Sequence, residues 1–130
     1  MNGIPAKAPG TEAGGRRMES RCGEILKLHD MLTKAGIPHA FEPHPVGGYQ
    51  IAYYGHEARP EPEPGHEIGL GWGSVCSAVE TPTSYGNEKD LIEISGLLND
   101  EEAESDGVAG YLAADDVFAR ILAHWKGEST

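Results

Sequence analysis

The stretch "PHAFEPHPVGGYQIAYYGH", residues 38–56, decides the fold. Two runs bearing apolar residues flank a turn rich in Pro and Gly. In "GYQIAYYG" Tyr49, Ile51 and Tyr53 alternate with Gln50, Ala52 and Tyr54, the period that sends successive side chains to opposite faces of a strand. "HAFE" before it is a shorter strand stopped at Pro43. "SVCSAVET" after it, residues 74–81, alternates Val75, Ser77 and Val79 with Cys76, Ala78 and Glu80. An antiparallel meander of three or four strands is the expectation. The insert "HEARPEPEPGHEIGLGWG" joins two of these strands. Its Pro-Glu repeats, within residues 56–68, suit an extended solvated loop, and "HEIGLGWG" can add a glycine-weakened edge strand.

Helices flank the meander. From Ser20 onward, Cys22, Ile25, Leu26, His29 and Leu32, widened by Leu28, Met31 and Ala35, make the apolar stripe of an amphipathic helix. Gly36 suits the left-handed position after its end, Ile37 folds back on the last turn, and Pro38 blocks continuation. His29 falls at the edge of the stripe, a place for a partly buried, hydrogen-bonded imidazole. Beyond the meander, Asn87 with Asp90 three residues on reads as a helix start, with Leu91, Ile94 and Leu98 at helical spacing and Gly96 closing it. A strand over "LIEIS" is the alternative. Asn99 followed by Glu102 is a capping pair over a short acidic turn. The last helix carries Val117, Phe118, Ile121, Leu122 and Trp125 on one face, with Leu112 placed to staple onto Val117. Its cap position holds Ala113, which lacks an acceptor and costs that end roughly 1 kcal/mol relative to a capped version. The chain therefore reads as α+β. A flexible leader over 1–17 precedes one domain over 18–127, built of an N-terminal helix, a small antiparallel sheet and two or three C-terminal helices.

At 130 residues such a domain buries a core without disulfides or a structural metal. No run approaches the ~18 apolar residues of a membrane span, and the N-terminus lacks the apolar stretch of a signal peptide, so a cytoplasmic protein with no membrane partner is expected. Net charge is −11, unevenly spread: residues 1–38 carry six basic and four acidic side chains, and the other 92 carry four and seventeen. That excess of carboxylates repels a phosphate backbone, which disfavours direct nucleic-acid binding and leaves a basic protein partner or nucleic-acid mimicry open.

Chemical motifs are weak. His39, His44 and His56 lie close in sequence, with His66 beyond the Pro-Glu loop, but the close ligand pairs of zinc sites are missing and no metal site is expected. Cys22 and Cys76 have no CxxC spacing and read as buried free thiols. "GLGWG" is followed by a strand, whereas a phosphate loop needs a helix N-terminus. Acidic pairs at Glu101 and Glu102 or Asp115 and Asp116 have a sufficient role at helix starts. More suggestive are the aromatics on or around the sheet. Tyr49 and Tyr53 fit core packing equally well, and Tyr54, Trp72 and Tyr85 are the candidates for stacking a base or gripping a partner.

In "KAGIPHAFEPHPVGGYQIAYYG" and "SYGNEKDLIEISGLLNDEEAESDGVAGYLAADDVFARI" the chain resembles small uncharacterised proteins encoded in phages and prophages of Gram-positive gut bacteria. The likeness spans roughly Met18 to Trp125 and carries no catalytic motif. It implies a mobile-element accessory that works by binding and needs no cofactor, antagonising a host protein or sequestering a nucleotide-type ligand in the bacterial cell. The expected contact residues are Tyr54, Trp72 and Tyr85 on an aromatic sheet face, or Asp100, Glu101, Glu102 and Glu104 on an acidic helical face. A structural protein that mainly self-associates is the alternative, and a small metal- or cysteine-dependent enzyme the third.

Overall fold

The computed structural model describes residues 22–61, 65 and 69–127. The expected leader and parts of the Pro-Glu loop lie outside them. Helix α1 (Gly23–Lys34) leads into strands β1 (Ala40–Pro43), β2 (Tyr49–Tyr53) and β3 (Cys76–Glu80), a short 3-10 turn (Asn87–Lys89) and β4 (Ile92–Ser95). Helix α2 (Asp100–Ser105), strand β5 (Ala109–Leu112) and helix α3 (Ala114–Trp125) follow. The strands form one five-stranded antiparallel sheet in chain order, with Phe41 opposite Ile51, Ile51 opposite Ala78, and Ala78 opposite Ile94.

Strand alternation sorts the side chains into two layers. Ile51 and Tyr53 of β2, Cys76 and Ala78 of β3, Ile92 and Ile94 of β4 and Ala109 of β5 join Ile25, Leu28 and Leu32 of α1 and Ala114, Val117 and Ile121 of α3 in the main core. Both long helices thus cover one face. On the opposite face a small cluster forms where Leu70, from the β2–β3 insert, covers Ala52 and Tyr54 beside Ala40.

The α+β class stands, with two corrections. Residues 92–95 form a strand, the alternative reading, and the helical part of that segment is confined to Asn87–Lys89. Ile92 and Ile94 are fully buried on one face, and Asp90 is left-handed at φ 62°, which ends the turn and starts extended chain. The second correction is β5, which the sequence reading omitted, bringing the strand count to five. Of the edge strand expected over "HEIGLGWG", residues 66–68 lie outside the described residues, and residues 70–73 form turns instead, with Trp72 N–H donating to Gly69 C=O and Ser74 N–H to Gly71 C=O.

Helix ends follow the capping chemistry. Gly36, at φ 74°, and Ile37 close α1 by donating to Thr33 C=O and Leu32 C=O. Asn99 and Glu102 form a reciprocal capping box on α2. Ala113 supplies no side-chain cap to α3, and Cys22 none to α1. Distant carboxylates replace both. Glu24 Oε1 accepts from Ala114 N–H at 2.8 Å, and Asp90 Oδ1 accepts from Gly23 N–H at 2.9 Å.

Arg120 joins α2 to α3. It donates two parallel hydrogen bonds to the Glu102 carboxylate, at 2.9 and 3.0 Å, one to Asp116 Oδ1 at 3.0 Å, and one to Leu97 C=O at 3.0 Å. Hydrogen bonds from Arg120, aided by Asn99 N–H, hold the Glu102 carboxyl down to about 2.

Candidate functional site

The reactive side chains go to separate places. Cys76 sits in the core with its thiol pushed up to about 12 by burial, so it carries no thiolate at neutral pH. Cys22 is likewise buried, and neither thiol is in a disulfide. His44 Nδ1 accepts from Val46 N–H in the β1–β2 turn. His56 stacks on Trp125 with ring centroids 3.9 Å apart, and its Nε2 lies 3.0 Å from Trp125 C=O. His39 meets His29 instead, Nε2 to Nδ1 at 2.8 Å, so the three described histidines of that group do not converge. His66 lies outside the described residues. Among those residues no group of three or more His, Cys, Asp and Glu is arranged to hold a metal ion, and no helix is long and apolar enough to cross a membrane.

The expected contact residues fall into three places. Tyr54 is only 7% exposed, packed with Ala52 and Leu70, and its hydroxyl donates to Leu70 C=O. It braces the insert and offers no open ring face. Trp72, two residues beyond Leu70, is 60% exposed. On α2, Asp100, Glu101 and Glu104 are exposed, while Glu102 is committed to the capping box and Arg120. Tyr85 is 52% exposed at the far end of the β4–β5 pair from α2.

Tyr85 has a neighbour that sequence reading missed. Tyr111 of β5, 51% exposed, donates its backbone N–H to Tyr85 C=O, and its hydroxyl donates to Glu88 Oε2 at 2.6 Å. The same bond lowers the Glu88 pKa and raises that of Tyr111. Glu93 Oε1 accepts from Tyr85 N–H at 2.7 Å. Close approach requires glycine here: a Cβ on Gly110 would sit 2.3 Å from Tyr85 Cβ. Tyr111 itself is left-handed at φ 60°, an uncommon conformation for a bulky residue.

The turn that carries Tyr85 is tied down by its own hydrogen bonds. Ser84 Oγ accepts from Thr81 N–H and donates to Thr81 C=O, the Asn87 side chain donates to Ser84 C=O, and Leu91 N–H donates to Gly86 C=O. Two tyrosines are thus presented with Glu88 and Glu93 on a preformed platform. The surroundings are strongly anionic, since residues 85–116 hold ten acidic side chains and a single lysine, a local balance of −9. Tyrosine faces beside carboxylates suit a guanidinium or ammonium group, through cation–π contact and charge-assisted hydrogen bonds. The sequence signal was present in "AGYLA", but only as a gap between two helices. Comparison with known protein families, with curated proteins and with solved structures finds no match.

Proposed function

We propose that the chain acts by contact, as a non-enzymatic binding protein that docks a basic protein surface on Tyr85 and Tyr111. The observation that carries this reading is the paired, half-exposed tyrosines fixed by Glu88 and Glu93 in the most acidic part of the chain. Exposed Asp100, Glu101 and Glu104 on α2 add long-range attraction for the same partner. The likeness to phage- and prophage-encoded proteins makes a bacterial host factor the partner class to screen first. Immobilised chain captures such a factor from host lysate at about 0.05 M salt and releases it at about 0.5 M, where the screening length falls severalfold. Tyr85→Ala, which keeps the backbone bonds, abolishes capture at low salt. Capture that resists salt and survives that substitution refutes the reading. Light scattering on the purified chain tests the alternative, a protein that mainly self-associates.

A second reading has its own observation. Gln50, Arg59, His44 and Leu70 line a groove of about 510 Å³ on the face away from the helices, with exposed Trp72 two residues past Leu70. Arg59 lies in that groove with its ion-pair partner Glu42, 3.2 Å away, and would exchange that carboxylate for the phosphate of a nucleotide-type ligand. Nucleotides then raise the thermal midpoint of the wild type and leave that of Trp72→Ala unchanged.

A further inference from the structure

Strand β1 lies at one edge of the sheet and pairs only with β2. It is four residues long and ends at a proline, so the ladder holds it weakly. Its side chains meet α1 at His29, whose ring stacks on Phe41 at 4.1 Å and 11° and whose Nδ1 meets His39 Nε2, one residue before β1, at 2.8 Å. His39 Nδ1 lies 2.9 Å from Ile37 C=O, which can only accept, so that nitrogen carries a proton. His39 Nε2 of the neutral ring is therefore the acceptor, and His29 Nδ1–H is the donor.

The contact holds one proton between the two nitrogens. An added proton is accommodated at His29 Nε2, which leaves the donor and acceptor in place. A second must go onto His39 Nε2, where it faces the His29 N–H, and two cationic rings are then held at hydrogen-bond distance. We propose that the His29–His39 contact is an acid-operated latch, which keeps β1 on the domain while it shares a proton and releases the strand when both rings are charged.

The surroundings offer little to offset that second charge. On α1, Asp30 is engaged by Lys34 at 3.0 Å, and Glu42 of β1 by Arg59 at 3.2 Å. Glu57 and Arg59 line, with His39 and Tyr54, a cleft of about 240 Å³, one charge of each sign. From β2 the facing group is Tyr49, stacked on Phe41 at 5.2 Å. Burial, and more weakly the facing His29, hold the His39 pKa below the ordinary imidazole value against the opposing pull of Ile37 C=O. A base whose folded pKa is lowered stabilises the fold fully above the unfolded value, about 6.5, and loses that contribution as pH falls below it. Release withdraws Phe41 from the rim of the main core and Ala40 from the Ala52, Tyr54 and Leu70 cluster, and bares the outer edge of β2 to another strand.

Amide hydrogen exchange at about pH 7.5 and pH 5, corrected for the intrinsic rate, reads the latch directly. In the wild type, protection of the Ala40 and Glu42 amides, the ones that face β2, falls by at least about tenfold on acidification relative to the β4 amides. H29Q keeps that protection at both pH values, because its amide donates to neutral His39 and, turned over, accepts from the charged ring. H39Q, which also leaves a single titrating ring, behaves alike, and β4 protection reports that each variant is folded. Equal β1 protection at both pH values in the wild type, or the same acid loss in both variants, overturns the latch.

Discussion

Replacing Arg120 by methionine keeps a stem of similar length on α3 and removes the guanidinium. Four hydrogen bonds disappear, two of them the bidentate pair with Glu102. Both partners of that pair are mostly shielded, with side chains 20% and 22% exposed, so it exceeds an open surface ion pair. Charge-assisted bonds contribute about 1.5–3 kcal/mol where shielded, and the Asp116 bond, on a half-exposed carboxylate, contributes a few tenths. Glu102 keeps its capping role, and Leu97 C=O is left for water to satisfy. A net loss of about 2–3 kcal/mol follows, or roughly 8–12 °C in thermal midpoint for a domain of this size. Urea unfolding at neutral pH measures it, and the cycle with Glu102→Gln isolates the pair. A second signature is acid dependence. The Glu102 carboxyl is held down to about 2, so its contribution is complete above about pH 4.5 and vanishes as pH falls toward about 2. Arg120→Met flattens that acid limb. A loss under about 0.5 kcal/mol, or an unchanged acid limb, refutes the assignment of Arg120 as the bond between α2 and α3.

Three further outcomes are expected. Glu24→Ala removes the carboxylate that accepts from Ala114 N–H and lowers stability by about 1 kcal/mol in urea unfolding, with exchange rising first at the start of α3. Gly48→Ala places a Cβ 1.9 Å from Glu80 C=O at a backbone φ of +80°, so the hairpin between β1 and β2 shifts and stability drops by more than about 2 kcal/mol in the same assay. Cys22 and Cys76 stay unreactive toward an aromatic disulfide reagent at mildly alkaline pH in the native chain and react fully in denaturant, since both thiols are buried.

How far the sequence carried the fold depends on whether local pattern and tertiary environment agree. Around Tyr49–Tyr53 and Val117–Ile121 they do, because each element buries one face and its period is visible. The ends of α1 and α2 were equally legible, since Gly36, Ile37, Asn99 and Glu102 act on their own helix. Leu91–Ser95 is different: Leu91, Ile94 and Leu98 carry helical spacing, yet pairing with β3 buries Ile92 and Ile94 on the alternation of a strand. β5 was hidden by its shortness and by Gly110, which reads as a break until Tyr85 is seen packed against it. Tyr85 was legible as an exposed aromatic. Its pairing with Tyr111, like that of His29 with His39, depends on contacts that no local spacing encodes.

The borrowed caps have a consequence for how the chain acquires its structure. Gly23 depends on a carboxylate 67 residues away, and Ala114 on one 90 residues away, so neither long helix is complete until a segment distant in sequence has arrived. Nascent helices at the two termini fray while they wait, and the closing of both loops falls late, in one cooperative step. Fragments divided between β3 and β4 should stay largely unstructured apart and regain helix content only when mixed.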